Sequence, residues 1–161
     1  LSTGISSSSA SSSGEGRRSF SCSNLDIRYE PKAVDMTNNC SYINAGDMDK
    51  GCIYIALGDW VGETANGETW PVIVKTNFKD GNSAKLFNPN DIHIIAYGEK
   101  TWDEATAGDG MVEFEIPIEY RNMDTKPTSI VLVASSSKYG DYFTGGVDST
   151  MWLDDLKLVY E

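Results

Sequence analysis

The sequence predicts an all-β fold, a β-sandwich of the immunoglobulin or jelly-roll type. About seven apolar runs of strand length follow one another along the chain, and clusters of turn residues separate them. No window longer than about 10 residues has the apolar period of a helix. The connections are long for an immunoglobulin domain, which favours the jelly roll.

Two runs alternate between polar and apolar residues, the pattern of a half-buried strand. The first places Leu25, Ile27 and Tyr29 on one face. The second covers residues 111–120 and places Val112, Phe114, Ile116, Ile118 and Tyr120 on one face. Pro117 lies on the other face of this strand. Because proline cannot donate a ladder hydrogen bond, we expect the strand at a sheet edge or at a bulge.

Further strands are predicted by apolar or β-branched runs at residues 52–57, 72–74 and 92–95, of which the last contains His93. Residues 130–134 are apolar throughout and predict a central strand buried on both faces. Residues 151–160 form the expected closing strand. Residues 1–19 are rich in serine and glycine and predict a linker or mobile loop, so the folded domain is expected at residues 20–161.

The formal net charge is −11, with 24 acidic and 13 basic residues. A field of this sign repels the phosphate backbone of nucleic acid and disfavours docking on anionic lipid. It does not affect the binding of a neutral polymer. We therefore expect no nucleic-acid partner, and no membrane contact except through a lipid anchor upstream.

No motif for nucleophilic, nucleotide or dinucleotide chemistry is present. The single histidine, His93, lies in an apolar run, where a satisfied strand residue is expected rather than a general base. A glycosidase needs only two carboxylates, so that class stays open. Glu113, Glu115 and Glu119, however, share one strand face that is expected to be solvated.

The three cysteines are Cys22, Cys40 and Cys52. Their odd number cannot form a closed set of disulfides, and their spacing does not fit a zinc site. Cys52 begins an apolar run and is expected to be a buried free thiol. A Cys22–Cys40 or a Cys40–Cys52 bridge stays open as an alternative.

Several aromatic residues fall in predicted loops beside polar residues. An exposed indole or phenol can stack on the apolar face of a sugar ring while a neighbouring carboxylate bonds its hydroxyl groups. The candidate carbohydrate-binding residues are Trp60 with Asp59, Trp70, Trp102, Tyr139, Asp141, Tyr142 and Phe143. The alternative for each aromatic residue is that it caps the end of the sandwich core.

The C-terminal third carries a more specific pattern. The apolar run 130–134 leads into Ser135–Ser137, then into Gly-Asp-Tyr-Phe-Thr-Gly at residues 140–145. Residues 148–150, Asp-Ser-Thr, and a closing strand with an Asp-Asp pair follow. This order resembles the putative carbohydrate metabolism domain (PCMD) of surface proteins from gut anaerobic bacteria, except that Asp148 stands where the family has glycine. The resemblance covers residues 19–161 and is specific over residues 127–158.

The resemblance implies a jelly roll like those of carbohydrate-binding modules. It also implies an exported protein, often lipid-anchored, at the cell surface, outer membrane or periplasm of a Gram-negative bacterium. The family's first strands are absent from this sequence. The sandwich is then either incomplete or completed by another segment, or the earlier part was removed.

One carboxylate in the closing strand raises the question of a cation. Asp154 shares its parity with Trp152 and Leu156, and it would be buried if that face were the core. A buried carboxylate needs donors or a cation. We expect donors such as Ser135 or Thr150 and therefore no cofactor. Calcium is the alternative, by analogy with other carbohydrate-binding jelly rolls.

Together these observations predict non-catalytic binding of a polysaccharide or glycan by an exported cell-surface domain. A structural or adhesive domain that binds protein is the first alternative. A glycoside hydrolase is the second alternative.

Overall fold

The computed structural model describes residues 20–36, 40–62, 64–69, 87–106, 108 and 110–160. These residues form eleven strands and a short 3₁₀-helical turn, Gly140–Tyr142, which confirms the all-β prediction. The strands are β1 Phe20–Glu30, β2 Val34–Met36, β3 Gly51–Gly58, β4 Thr64–Ala65, β5 Glu68–Thr69, β6 Ile94–Trp102, β7 Val112–Tyr120, β8 Ser129–Ser135, β9 Gly145–Gly146, β10 Thr150–Asp154 and β11 Lys157–Tyr160. No helix in the described ranges could span a bilayer.

Seven strands form one antiparallel sheet in the order β10-β1-β7-β6-β3-β8, with β11 also paired to β1. Its two halves meet where β6 pairs with β7 at Ala96↔Tyr120 and Tyr97↔Glu119. The sheet then folds over, because the Tyr29 ring of β1 lies against Gly51 of β3 although β7 and β6 lie between these strands. A layer of β10, β1 and β7 therefore faces a layer of β6, β3 and β8. This is the sandwich that the sequence predicts.

The core lies between these two layers. Its buried side chains come from the alternating faces of β1, β3, β6 and β7: Leu25, Ile27, Tyr29, Ile53, Ile55, Ala96, Phe114, Ile116 and Ile118. The largest of them, Tyr29, is fully buried, and its hydroxyl donates to the Ser136 carbonyl at 3.0 Å. Because this bond joins β1 to the residue that follows β8, it ties the two layers together at one end of the sandwich.

Pro117 of β7 lies close to the crossing of β7 and β6. The strand lies between β1 and β6, so the predicted edge position is wrong. The alternative prediction of a bulge at Pro117 is not confirmed either, because Pro117 pairs in register with Ser21 and the extra residue lies in β1, between Cys22 and Leu25. A Cβ atom on Gly98 of β6 would lie 2.5 Å from the Pro117 carbonyl oxygen. Glycine is therefore the residue that lets the two strands cross so closely.

The structure corrects two expected strands. Strand β8 is not central, because within the described residues its ladder is with β3 and it ends the sheet order. Ile130 and Leu132 are accordingly 43% and 37% exposed. Strand β6 begins at Ile94, so His93 precedes it and is exposed rather than buried. The predicted strand at residues 72–74 and the predicted linker at residues 1–19 lie outside the described residues.

The C-terminal run forms two strands with a break at Asp155, where φ is 58°. Leu153 pairs with the core residue Ile27, so its neighbours Trp152 and Asp154 face outward. Asp154 is exposed, which contradicts a buried carboxylate at this position and removes the reason for calcium there. The sequence pattern predicted that the face with Trp152 and Asp154 is the core face of β10. In the structure the core face is the opposite one, which carries Leu153.

The cysteine predictions have a clear outcome. Cys52 is buried and free, as expected, and Cys40 is also free, so neither proposed disulfide forms. Burial is the largest cause of a rise in the pKa of the Cys52 thiol to about 12, and the negative charge of Glu99 adds to it. This thiol is therefore protonated at neutral pH and unsuited to nucleophilic chemistry.

Candidate functional site

A buried carboxylate holds two loops together at the Gly51 end of β3. Asp49 is fully buried, and its Oδ2 accepts from the Ser137 hydroxyl at 2.6 Å and the Gly146 N–H at 2.8 Å. Its Oδ1 accepts from the Lys50 N–H at 2.8 Å. Ser137 and Gly146 lie at the two ends of one loop, residues 137–146. Asp49 therefore closes the base of this loop and fixes it to the chain that leads into β3.

The glycine pair of β9 makes this closure possible. A Cβ atom on Gly145 would lie 2.6 Å from the Ser137 hydroxyl oxygen, so a larger residue would displace the donor to Asp49. At Gly146 a Cβ would collide with the Lys32 backbone. Both positions require glycine because neighbouring atoms fill the space that a side chain would need.

The closed loop presents aromatic side chains that contact Tyr42, which lies in the loop that leads into β3. Tyr42 stacks on Tyr139, with ring centroids 5.7 Å apart and an angle of 11° between planes. It also contacts the Tyr142 ring at 5.5 Å. Tyr42 is 60% exposed, so this tyrosine cluster, Tyr42, Tyr139 and Tyr142, opens to solvent. Burial and a hydrogen bond with Tyr42 raise the pKa of Tyr142.

The loop that carries Tyr42 is well anchored. Ile43 beside it is buried, and the Val34 N–H donates to the Asp47 carbonyl at 2.8 Å. The Asp47 carboxylate accepts from the Asn44 N–H at 2.9 Å. The backbone that carries the Tyr42 ring is therefore already ordered, which would reduce the entropy cost of binding a ligand there.

A polar residue stands beside the tyrosine cluster. Asp141 lies in the 3₁₀-helical turn, and partial burial raises the pKa of its carboxyl group. Its charge also contributes to a rise in the pKa of Tyr54 to about 12, although burial is the larger cause. Asp141 is therefore close enough for its charge to act on both Tyr54 of β3 and Tyr142 of the tyrosine cluster.

An ion-paired network occupies the neighbouring part of the outer face that carries Tyr54. The Lys138 ammonium donates to Glu99 Oε1 at 2.5 Å and to Thr101 Oγ1 at 3.0 Å. The Tyr97 hydroxyl donates to Glu99 Oε2 at 2.7 Å. Burial alone would raise the pKa of Glu99, but the bonds from Lys138 and Tyr97 outweigh it and lower that pKa. Both charged side chains remain about one-third exposed, at 32% for Lys138 and 31% for Glu99.

Comparison with known families finds one match that covers most of the chain. The model of the family described as "Putative carbohydrate metabolism domain", PCMD, matches residues 27–159.

The chain belongs to the PCMD family.

The solved structures show the same fold in a longer protein. A structure described as a putative glycoside hydrolase from Bacteroides thetaiotaomicron superposes with a TM-score of 0.55 at 17% identity. The superposition covers 89% of this PCMD chain and 38% of the other chain. This PCMD chain therefore spans little more than a third of that relative, and at this identity the likeness shows the fold alone. Comparison with curated proteins finds no match.

The structure shows what the residues of the PCMD signature do in this chain. Ser137 at its start and the glycine pair at its end are the contacts of Asp49. The aromatic residues within it supply two members of the tyrosine cluster. Phe143 ends the 3₁₀-helical turn in a left-handed conformation, with φ at 54°, and its ring is exposed. The signature thus encodes the closed loop and its aromatic surface.

The structure separates the predicted site residues into two groups. Tyr139, Asp141, Tyr142 and Phe143 lie together on the closed loop. Trp60 and Asp59 follow the Gly58 end of β3, at the other end of the strand. The Trp60 ring lies over Gly58, and Asp59 Oδ1 is 3.0 Å from Nδ1 of His93.

Two predicted tryptophans remain. Trp102 is at the tyrosine-cluster end, but its ring packs edge-on against Phe114 of the core at 4.6 Å. That contact fits the alternative that this residue caps the core. Trp70 lies outside the described residues.

Sequence reasoning missed Tyr42, Asp49, Glu99 and Lys138. Tyr42 satisfied the criterion used for the other aromatic residues, because it lies in a polar loop. The burial of Asp49 could not be predicted from the sequence, because this residue lies in a turn-like stretch where acidic residues are usually solvated. Among the described residues, no group of three or more His, Cys, Asp or Glu side chains could hold a metal ion.

Proposed function

We propose that this PCMD domain binds carbohydrate without cleaving it, through the tyrosine cluster and Asp141, as part of an exported cell-surface protein. The observation that carries the proposal is the exposed stack of Tyr42 on Tyr139, presented by two anchored loops. Sugar rings have apolar faces that stack on phenol rings, and their hydroxyl groups bond to carboxylates. Family membership supports a carbohydrate-related role. The cell-surface location comes from the sequence resemblance.

A glycan array followed by isothermal titration calorimetry tests the proposal. We expect binding of at least one neutral glycan, and Tyr42→Ala should weaken it about tenfold, equivalent to about 1.4 kcal/mol. Trp152→Ala is the matched control, because Trp152 is an exposed aromatic residue on the outer face of the other layer. This variant should retain the affinity of the parent.

Two outcomes would overturn the proposal. If neutral glycans bind but are hydrolysed, with release of reducing sugar, the domain is an enzyme. If no glycan binds while the domain captures a protein ligand through the same tyrosines, the adhesive alternative is correct.

A further inference from the structure

The outer face of the β6-β3-β8 layer limits how far a ligand can extend from the tyrosine cluster. The Phe87 ring stacks on Tyr54 of β3, with ring centroids 4.5 Å apart, and its centroid lies 6.2 Å from that of Tyr97 of β6. Ile53 and Ile55 point into the core, so Tyr54 and the Phe87 ring that covers it lie on the outer face. A sugar chain that stacks at the cluster therefore cannot continue over this part of the sheet.

The side chains between the tyrosine cluster and the Phe87 ring are already paired. Lys138 is the residue next to Tyr139, and its ammonium group donates to Glu99 and Thr101. The second carboxylate oxygen of Glu99 accepts from the Tyr97 hydroxyl. Each oxygen of Glu99 thus has a donor within the protein, so this network closes the sheet side of the cluster without needing a ligand.

The stacking surface of the tyrosine cluster is one ring wide. Tyr42 is 60% exposed, whereas Tyr139 and Tyr142 are half-buried. One face of the Tyr42 ring lies against Tyr139, with an angle of 11° between the planes, so the opposite face is the one that can receive a ligand. A phenol ring and a pyranose are similar in size. The exposed face of Tyr42 therefore accommodates one sugar ring.

Asp141 supplies a polar contact beside this ring. Its charge acts on Tyr142, which contacts Tyr42. In contrast to Asp49, whose two oxygens both have donors, the Asp141 carboxylate accepts no hydrogen bond from any residue that the structure describes. Its two oxygens can accept from two hydroxyl groups, and a sugar ring carries such a pair on adjacent carbons. Asp141 and Tyr42 together can therefore hold a single sugar.

We propose that the tyrosine cluster and Asp141 bind one terminal sugar of a glycan, and that the Phe87 ring prevents an extended chain from lying along the sheet. A sugar that is blocked on the side of the sheet can continue into the rest of the glycan on its other side alone, as a terminal sugar does. The domain then recognises chain ends and branch tips rather than the interior of a polysaccharide. This inference rests on the proposed function, because it concerns the same cluster.

Calorimetry with sugars of increasing length tests the inference. The probes are glucose, galactose, mannose and xylose, each with its linear oligosaccharides up to the hexasaccharide. For the recognised series, we expect the affinity to stay within about threefold from monosaccharide to hexasaccharide. Asp141→Asn should weaken the binding of every length about fivefold. Glu113→Gln makes the same chemical change at an exposed carboxylate on the other layer and should have no effect.

Phe87→Ala tests the boundary itself. Removal of this ring uncovers Tyr54, so the hexasaccharide should bind severalfold more tightly while the affinity for the monosaccharide stays the same. No gain for the hexasaccharide in this variant would overturn Phe87 as the boundary. A tenfold or larger rise in the affinity of the parent from monosaccharide to hexasaccharide would overturn the terminal-sugar site while leaving the proposed function intact. Failure of every probe and of every glycan on the array to bind would instead contradict the proposed function itself.

Discussion

At the scale of single residues, Asp49 determines whether the closed loop, residues 137–146, is held in place. Asp49→Ala would remove an acceptor for Ser137, Gly146 and Lys50 and would leave buried N–H groups without partners. Because unpaired buried donors are costly, we expect the free energy of unfolding to fall by about 3 kcal/mol. Urea denaturation of the parent and the variant measures this difference in the free energy of unfolding. Asp124→Ala, at an exposed position, should stay within about 0.5 kcal/mol of the parent.

The burial of Cys52 predicts how fast its thiol reacts with an alkylating reagent. Cys52 is buried and its pKa is raised to about 12, whereas Cys40 is partly exposed. In the native protein at pH 8, iodoacetamide should modify Cys40 faster than Cys52, because the thiolate is the reactive form. Mass spectrometry of peptides locates the label. After denaturation in urea, both cysteines should react, and rapid native labelling of Cys52 would contradict the described burial.

The Glu99–Lys138 pair predicts a dependence of stability on pH. Because the folded pKa of Glu99 is lowered, its stabilising contribution is present above the unfolded value of about 4.3. It is lost as the pH falls through the lowered folded pKa. The parent should exceed Glu99→Gln by up to about 1 kcal/mol at pH 7, and this difference should vanish in acid. Urea denaturation at several pH values measures it, and a difference that persists in acid would exclude this ion pair as the cause.

At the scale of strands, the crossing of β6 and β7 depends on one small residue. Gly98→Ala would place a methyl group against the Pro117 carbonyl and the Ile116 side chain. We expect a loss of about 1–3 kcal/mol, the usual cost of overpacking. Gly110→Ala is the control, because that position has open space around it. Thermal unfolding compares the two variants, and equal melting temperatures would show that the corner tolerates a side chain.

The faces of individual strands could be predicted from the sequence, but their places in the sheet could not. The alternation at Leu25, Ile27 and Tyr29 matches their burial because a period of two fixes which side chains share a face. The apolar run at residues 130–134 shows no such alternation. The run predicts a strand at the centre of the sheet, whereas among the residues that the structure describes β8 ends the sheet order. Strand order depends on pairings between distant segments, which local periodicity does not encode.

The site was predictable only where its residues are close in sequence. The signature placed Tyr139, Asp141 and Tyr142 in one loop, and they do lie together. Tyr42 joins them from a distant loop, and Asp49 holds that arrangement from within the protein. A contact between loops far apart in sequence follows from the fold, so the composition of either loop alone could not reveal it.

At the scale of the whole molecule, the net charge of −11 raises the question of whether a cation takes part in binding. Because donors from Ser137, Gly146 and Lys50 satisfy the buried carboxylate of Asp49 at the base of the loop, we expect glycan binding without a cation. Affinity measured by calorimetry should be the same in EDTA and in calcium. A loss of binding in EDTA would show that calcium takes part.

We expect the sugar to bind at the tyrosine cluster rather than at the Trp60 end of β3. Titration of the ¹⁵N-labelled domain with the best-binding oligosaccharide, followed by NMR, distinguishes the two ends. The amide shifts should be concentrated at Tyr42 and residues 138–143, with those of Asp59 and Trp60 unchanged. Shifts confined to Asp59, Trp60 and His93 would contradict this expectation.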